Sequence, residues 1–349
     1  MPQDYFNKFQ KQFKSELPFV CYRKPGEKEV KGVLQRDARL HRCSELDKSG
    51  FIFAPFEDIH STVLIPFDEV LVETYKNEAL TSIKTKFSDS SETTRMDYVS
   101  LIEKSLLEIK NNSFKKVVLS RAIDLTVSFK PFEVFMNILN TYDNAFCYLW
   151  YHPKVGLWLG ATPELLLTIK DGNLKSMSLA GTIPYKSSKT PGWGQKEKEE
   201  QELVTAHIKA NLETKLEDIN IGPQESIRAG ELWHLRTLVY GRIKDVNLKG
   251  LVEELHPTPA VCGLPVKESA SFIRENEGYD REYYAGFLGE MNLDHPLSAS
   301  LYVNLRCIKM TNSGVRIFVG GGITERSIPE KEWLETVYKS KTMANMLHF

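Results

Sequence analysis

Two pairs of glutamates recur at the same spacing in this chain. Glu197 and Glu200 lie in KEKEEQE, and Glu332 and Glu335 lie in PEKEWLET. Each pair is i and i+3, so on a helix both members share a face. Two such helices side by side could hold one hard divalent cation. Mg²⁺ takes one or two carboxylates directly and keeps several waters, which the remaining glutamates could hold. Lys339 follows Glu335 at i+4, the spacing of a helix-stabilising ion pair, and falls on the same face. Just upstream, GVRIFVGGG ends in Gly320, Gly321 and Gly322. Glycine at a strand end signals close backbone approach or a bulge, and bare amides there could bind an anion. No G-K-[ST] follows, so a P-loop is excluded.

Five further residues have types and settings that suit a reaction. In the strand KKVVLSR, Lys115 and Lys116 point to opposite faces, so one can be interior, and a buried lysine can act as a base. Glu164 in GATPELLL sits between a proline and three leucines. Apolar surroundings push a carboxyl towards its protonated form, which can donate a proton. A base and an acid on different strands make a workable pair. Arg306 in NLRC would need an anion if buried, and a carboxylate fits its planar fork. His234 in LWHL and Tyr284 in YYAG are flanked by apolar residues. Each of these residues also has a plain structural reading: solvated helix face, strand-edge lysine, hydrogen-bonded core histidine. Taken that way, the chain would be a non-catalytic interaction protein. No histidine pair has zinc-ligand spacing.

The elements that must position these groups are readable from periodicity. GFIFAPF and STVLIPF are strands of an N-terminal β-rich lobe, residues 1–90. The polar stretch 86–98 is a connector. MDYVSLIEKSLLEIKNN has apolar residues at helical spacing. KKVVLSRAIDLTV reads as a strand and PFEVFMNILNTY as a helix. AFCYLWYHP, GLWLGATPELLLTIK and NLKSMSLAGTIP are strands joined by the tight turns PKVG and DGN, hence antiparallel. A long helix is expected at 194–219. ELWHLRTLVYGRIKD is a strand, HPTPAVCGLP a loop and VKESASFIRENE a short helix. REYYAGFLGEMN, LYVNLRCIKM and GVRIFVGGG are strands, the last two joined by TNSG, and a final helix carries Glu332 to Lys339. Strands in runs with helices between them predict an α+β fold with large antiparallel sheets. The catalytic residues fall in a second region, 91–349.

The chain has 349 residues with 42% hydrophobic content, enough for a substantial core, and a net charge of −1, which gives no electrostatic footprint for nucleic acid or an anionic membrane. No apolar run approaches the roughly 20 residues of a membrane span. The start lacks a signal-peptide core, so a cytoplasmic location is expected. The five cysteines, Cys21, Cys43, Cys147, Cys262 and Cys307, show no C-x-x-C and read as reduced, buried thiols.

KVVLSR, GATPELL, LAGT, LWHL, HPTPAVCGLP, YYAGFLG, LYVNLR, VGGGI and EWLET-x-x-K occur in this order. From about residue 95 to its end the chain resembles the chorismate-utilising enzymes: isochorismate, salicylate, anthranilate and aminodeoxychorismate synthases. The resemblance implies two large sheets packed face to face with helices outside, and a Mg²⁺-dependent site between them. Glu200 and Glu335 resemble the metal ligands, with Glu197 and Glu332 acting through water; Glu199 is the alternative to Glu200 if the register shifts by one. Tyr284, Arg306, Lys339 and the amides of Gly320, Gly321 and Gly322 resemble the groups that grip the substrate's carboxylates, and His234 a residue beside the ring. Ala180, Gly181 and Thr182 of LAGT and Ala260 of HPTPAVCG line the substrate. Ala180 stands where aminodeoxychorismate synthases have a nucleophilic lysine, and Lys116 matches the branch that adds water. The resemblance thus implies an isochorismate synthase acting on chorismate, with Lys116 as base and Glu164 as acid. Salicylate synthase, which goes on to eliminate pyruvate, is the alternative, and Ala260 leans away from it. No glutaminase partner is expected, and a monomer is.

Overall fold

The computed structural model describes residues 3–76, 92–185, 191–230, 232–244, 246–293 and 295–347. Seven helices are seen among them: α1 (Gln3–Lys14), α2 (Glu92–Lys110), α3 (Pro131–Thr141), α4 (Gln195–Leu212), α5 (Leu248–Leu255), α6 (Val266–Asn276) and α7 (Pro329–Ala344). The strands are β1 (Phe19–Arg23), β2 (Glu29–Leu34), β3 (His41–Arg42), β4 (Gly50–Ala54), β5 (Val63–Ile65), β6 (Glu69–Thr74), β7 (Lys116–Thr126), β8 (Phe146–His152), β9 (Gly156–Thr162), β10 (Leu165–Lys170), β11 (Asn173–Pro184), β12 (Leu216–Ile221), β13 (Glu225–Ala229), β14 (Leu232–Ile243), β15 (Gly263–Leu264), β16 (Phe287–Met291), β17 (Ala299–Val303), β18 (Cys307–Thr311) and β19 (Gly314–Thr324).

These strands form two sheets, and every described pairing is antiparallel. The first runs β15-β7-β19-β18-β9-β8-β1-β2-β6; the second runs β12-β14-β11-β10-β17-β16-β4-β5-β3, with β13 also on β14. Large aromatic residues fill the space between their inner faces. Tyr22 of β1 meets Phe51 of β4 at 5.1 Å, and Phe146 of β8 stacks on Tyr302 of β17 at 4.2 Å. Phe53 of β4, fully buried, touches Trp150, Trp158 and Tyr283. A second apolar layer lies outside the first sheet, where Phe6 and Phe9 of α1, Phe135 and Ile138 of α3 and Met343 of α7 pack on Leu149, Leu159 and Ile317. The α+β class and face-to-face antiparallel sheets are as expected. Strands from the first 90 residues sit in both sheets beside strands from the rest of the chain.

Several segment readings need correction. GLWLGATPELLLTIK is two strands in different sheets: β9 lies in the first and β10 in the second, broken at Pro163-Glu164. Proline cannot donate to a ladder, so the break falls there. LYVNLRCIKM likewise divides into β17 in the second sheet and β18 in the first, with Arg306 at φ 48° between them. In REYYAGFLGEMN only Phe287–Met291 is a strand. The helix expected at 194–219 stops at Leu212, and Leu216–Ile221 forms a mostly exposed edge strand on β14. The connector 86–98 is helical from Glu92; its earlier part lies outside the described residues. Helices α1 and α5 were not anticipated. The first buries Tyr5, Phe6 and Phe9, a 3.6-residue period hidden among charged residues; the second opens with the Asn247 side chain capping Gly250 N.

Phe53→Ala should cost about 3–5 kcal/mol by emptying the space between the sheets, measured as a lower urea midpoint at unchanged m-value; a loss under 1 kcal/mol would mean that the sheets close up around the gap.

Candidate active site

The site lies where the chain changes sheets. Pro163-Glu164 links β9 to β10, and Asn304–Arg306 returns from β17 to β18. The two crossings touch: Val303 N donates to Glu164 O (3.0 Å), and Ala161 N donates to Arg306 O (3.1 Å). Beside them β11 bulges between Ala180 and Thr182, with Gly181 at φ +73°. A cavity of about 90 Å³ opens here, lined by Glu164, Ala180, Gly181, Thr182, Glu200, His234, Ala260, Tyr284, Arg306, Gly320, Gly321, Gly322, Glu335 and Lys339. Three strands (β11, β14, β19), two helices (α4, α7) and the loops between elements thus bring most of the residues singled out from the sequence to one place; Lys116, Glu197 and Glu332 are not among the lining residues. A larger concavity, about 2360 Å³, lies on the outer face of β10, β11 and β14, open to solvent and without such a set.

The glycine run matters in two ways. Val118 N donates to Cys262 O (2.8 Å) and Ser120 N to the Glu277 carboxylate (2.6 Å), so both point away from β19. Their partners across the ladder, Gly322 and Gly320, therefore form non-hydrogen-bonded pairs, and their own amides face the other edge. That edge is open, because β18 reaches β19 only as far as Ile317. Space is the second requirement. A Cβ on Gly322 would lie 2.3 Å from Glu200 Oε1 and 3.0 Å from Lys116 Cε.

Three glutamates meet three lysines around this strand. Lys116 opens β7, is fully buried, and forms an ion pair with Glu200 Oε1 at 3.0 Å without good hydrogen-bond alignment. Lys196 in the first turn of α4 holds Glu332 Oε1 at 2.5 Å. Lys339 pairs with Glu335 at 2.7 Å, the i+4 helix pair, and donates to Gly320 O. Burial works against ionised Glu200, but Lys116 and Lys196 outweigh it and hold its pKa below the usual carboxylate value. Burial and the neighbouring Glu335 push Glu332 up, opposed by Lys196. Glu332 is 2% exposed, and its Oε2 has no hydrogen-bond partner. Glu197 stands apart: its carboxylate turns back towards Gly194 at the start of α4, and it does not line the cavity. Glu199 faces outward to Arg326 at 3.3 Å, so Glu200 is the inward glutamate of that helix.

Glu164 is 3% exposed, and burial raises its pKa to about 8 despite the positive charges of Lys116 and Lys339. It is therefore mostly protonated at neutral pH. His234 accepts from Arg306 Nη2 at Nε2, while Nδ1 lies 3.1 Å from Gly181 O. An arginine always donates, so the neutral Nδ1–H tautomer is the one that fits. Burial, then Arg306 and Lys339, hold His234 well below the usual histidine range. Burial also lowers Arg306 to about 10. Tyr284 stacks on Phe318 at 5.2 Å, and burial raises its hydroxyl. The five cysteines are free and buried.

The donor set suits a hard cation. Three carboxylates from two helices supply only oxygen, one buried oxygen is unpartnered, and the missing Cβ of Gly322 is what lets Glu200 approach the strand. Among the described residues, however, no three His, Cys, Asp or Glu groups are already arranged to hold a metal; each of the three glutamates is paired with a lysine. No helix among the described residues is long and apolar enough to cross a membrane.

The profile of a family described as chorismate binding enzyme matches residues 57–348. The chain belongs to this family. Among curated relatives, it is 34% identical over 244 residues to isochorismate synthase EntC of Escherichia coli K12, covering 66% of this chain and 62% of that one. It is 30% identical over 260 residues to isochorismate synthase MenF of the same organism, covering 72% and 60%. The chain thus spans about three fifths of the length of these relatives. Among solved structures, a Bacillus anthracis protein described as a candidate 2,3-dihydroxybenzoate-specific isochorismate synthase, DhbC, superposes with a TM-score of 0.82 at 22% identity, over 97% of this chain and 98% of that one. The chorismate-binding fold is therefore shared across the whole described chain, N-terminal strands included.

Two contributors were missed in the sequence. Lys196 precedes Glu200 by four residues, a signal that was present but lost among the lysines of KEKEE. Phe318 reads as ordinary strand core, and nothing in its neighbourhood marks it as the platform for Tyr284.

Gly322→Ala should destabilise the protein by about 1–3 kcal/mol through overpacking, read by urea unfolding. Unchanged stability would mean that Glu200 and Lys116 shift apart at no cost.

Proposed function

We propose that this chorismate-binding enzyme is an isochorismate synthase, converting chorismate to isochorismate reversibly. The observation that carries the reading is a cavity lined by Glu164, a carboxyl held protonated by burial, and by Glu200, behind which lies the buried Lys116 as its ion-pair partner and the candidate base. The named relatives support it, and Lys116 together with Ala180 favours water as nucleophile, so no ammonia-supplying subunit is required.

In this reading Arg306, Lys339, Tyr284 and the outward amides of Gly320 and Gly322 bind the two carboxylates of chorismate, and His234 lies beside the ring. Bound among Glu200, Glu332 and Glu335, Mg²⁺ would supply a fixed positive charge for the ring carboxylate. Lys116 Nζ takes a proton from a water whose oxygen bonds to C2. The ring double bonds shift, the C4–O bond breaks, and Glu164 gives its proton to the departing hydroxyl, which leaves as water. One hydroxyl replaces another, so the step runs both ways. Lys116 is ion-paired with Glu200, and the base role requires that ammonium to give up its proton before attack. General acid and base catalysis each contribute roughly 10²–10⁴-fold.

The deciding experiment is product analysis by HPLC after incubating the full chain with chorismate and Mg²⁺. Isochorismate is expected; salicylate with pyruvate would establish the eliminating activity instead, and no turnover with any divalent cation would remove the enzyme reading. A second outcome concerns pH. Glu164 must be protonated to act, so kcat should fall as pH rises through about 8, and Glu164→Gln should lose roughly 10²–10⁴-fold together with that alkaline limb. The same shift affects stability. The folded state holds a proton that the unfolded chain releases, so this contribution is complete below the ordinary value of 4.5 and is lost as pH rises through about 8. A flat kcat profile between pH 7 and 9 would take Glu164 out of the mechanism.

A further inference from the structure

Lys196 lies beside the carboxylates that a cation would need. Its ammonium is 2.5 Å from Glu332 Oε1, and its charge acts on Glu332, Glu335 and Glu200, in that order. These are the three carboxylates from α4 and α7 that have the composition of a hard-cation site. Glu332 Oε2, buried and unpartnered, faces the same space as Glu335 Oε1: both lie within 4 Å of the Cβ position of Gly321. With Lys116 on Glu200 and Lys339 on Glu335, three ammonium groups balance three carboxylates, so the cluster is neutral. The three lysines are not equivalent. Lys116 is fully buried, and Lys339 is also tied to the Gly320 carbonyl. Lys196 is 21% exposed, has a long flexible stem, and sits in the first turn of its helix, where the ammonium can swing to solvent without disturbing the backbone.

We propose that Lys196 is a built-in competitor for the divalent cation: it neutralises Glu332 and Glu335 in the metal-free protein and is expelled to solvent when the cation binds. This rests on the reading of Glu200, Glu332 and Glu335 as the cation site, and it adds a function that this reading does not contain. Lys196 sets the cation affinity, and it preserves the metal-free fold. Without it, two neighbouring carboxylates, one of them 2% exposed, would repel each other across the α7 surface. The ammonium is therefore a positioning group that keeps the site assembled while empty, and its expulsion makes cation binding weaker than the carboxylates alone would give.

The test uses the full chain without substrate. Mn²⁺ binding is followed by electron paramagnetic resonance and Mg²⁺ binding by calorimetry, for the parent, Lys196→Met and Lys196→Arg. Removing one nearby positive charge should tighten binding by about tenfold or more, whereas Lys196→Arg, which keeps the charge, should not tighten it. In EDTA, Lys196→Met should melt below the parent, and saturating Mg²⁺ should close that gap. If Lys196→Met proves too unstable to titrate, Lys196→Met combined with Glu332→Gln removes both charges and should recover the parent melting temperature in EDTA; failure to recover it would overturn the proposal. Parent-like cation affinity in Lys196→Met would refute the competitor role alone. No binding by parent or variant would remove the cation reading itself, and this proposal with it.

Discussion

Charges held inside a protein must be matched, and that constraint organises this molecule more than any single strand. Glu200, Glu332 and Lys116 are removed from water between or against the sheets, where an unpaired charge costs several kcal/mol. The matching partners arrive from distant parts of the chain: Lys116 starts β7, Glu200 and Lys196 lie on α4, and Glu332, Glu335 and Lys339 lie on α7. The helices are therefore fixed in rotation as well as position. A turn of α4 that exposed Glu200 would also release Lys196 and withdraw Gln201 from its hydrogen bonds to Ser178 and Thr237.

Where the polypeptide switches sheets is the second organising feature. Glu164 and Arg306 stand on the two crossings, and each crossing is pinned to the other by backbone hydrogen bonds. Glu164 is thereby placed in apolar surroundings without belonging to either ladder, which explains how a carboxyl can be so buried and still line a cavity. Arg306 needs a left-handed backbone there, and it meets a neutral histidine rather than a carboxylate. A guanidinium satisfied only by neutral acceptors keeps its charge available for an anionic ligand.

Much of this was legible in the sequence, for identifiable reasons. Strands such as AFCYLWYHP and NLKSMSLAGTIP were clear because apolar density and tight turns coincide at their ends. The set of cavity residues was legible through its ordered motifs. The sheet switches were not. Residues 156–170 are largely apolar, and a run that passes from one sheet to the next keeps the composition of a single strand; only Pro163 marked the change. In LYVNLRCIKM no glycine or proline marks it at all. The ionic pairing was legible only in part. Which lysine of KEKEE turns inward depends on the phase of α4, and that is set by Gln201, Val204 and Ile208 packing on the sheet, not by the charges themselves. Glu197 shows the converse: its spacing to Glu200 was right, yet it lies in the first turn of the helix, where the carboxylate is drawn back to Gly194.

The paired crossings also have a mechanical consequence. Because Pro163-Glu164 and Asn304–Arg306 are the covalent straps between the two sheets at this end, any shear of one sheet over the other is converted there into relative displacement of an acid and a guanidinium. The aromatic layer of Phe53, Trp150 and Trp158 that resists such shear is thus also the alignment jig of the cavity, although none of its rings lines it. Loosening that layer would blur the spacing of the reacting groups before it unfolded anything.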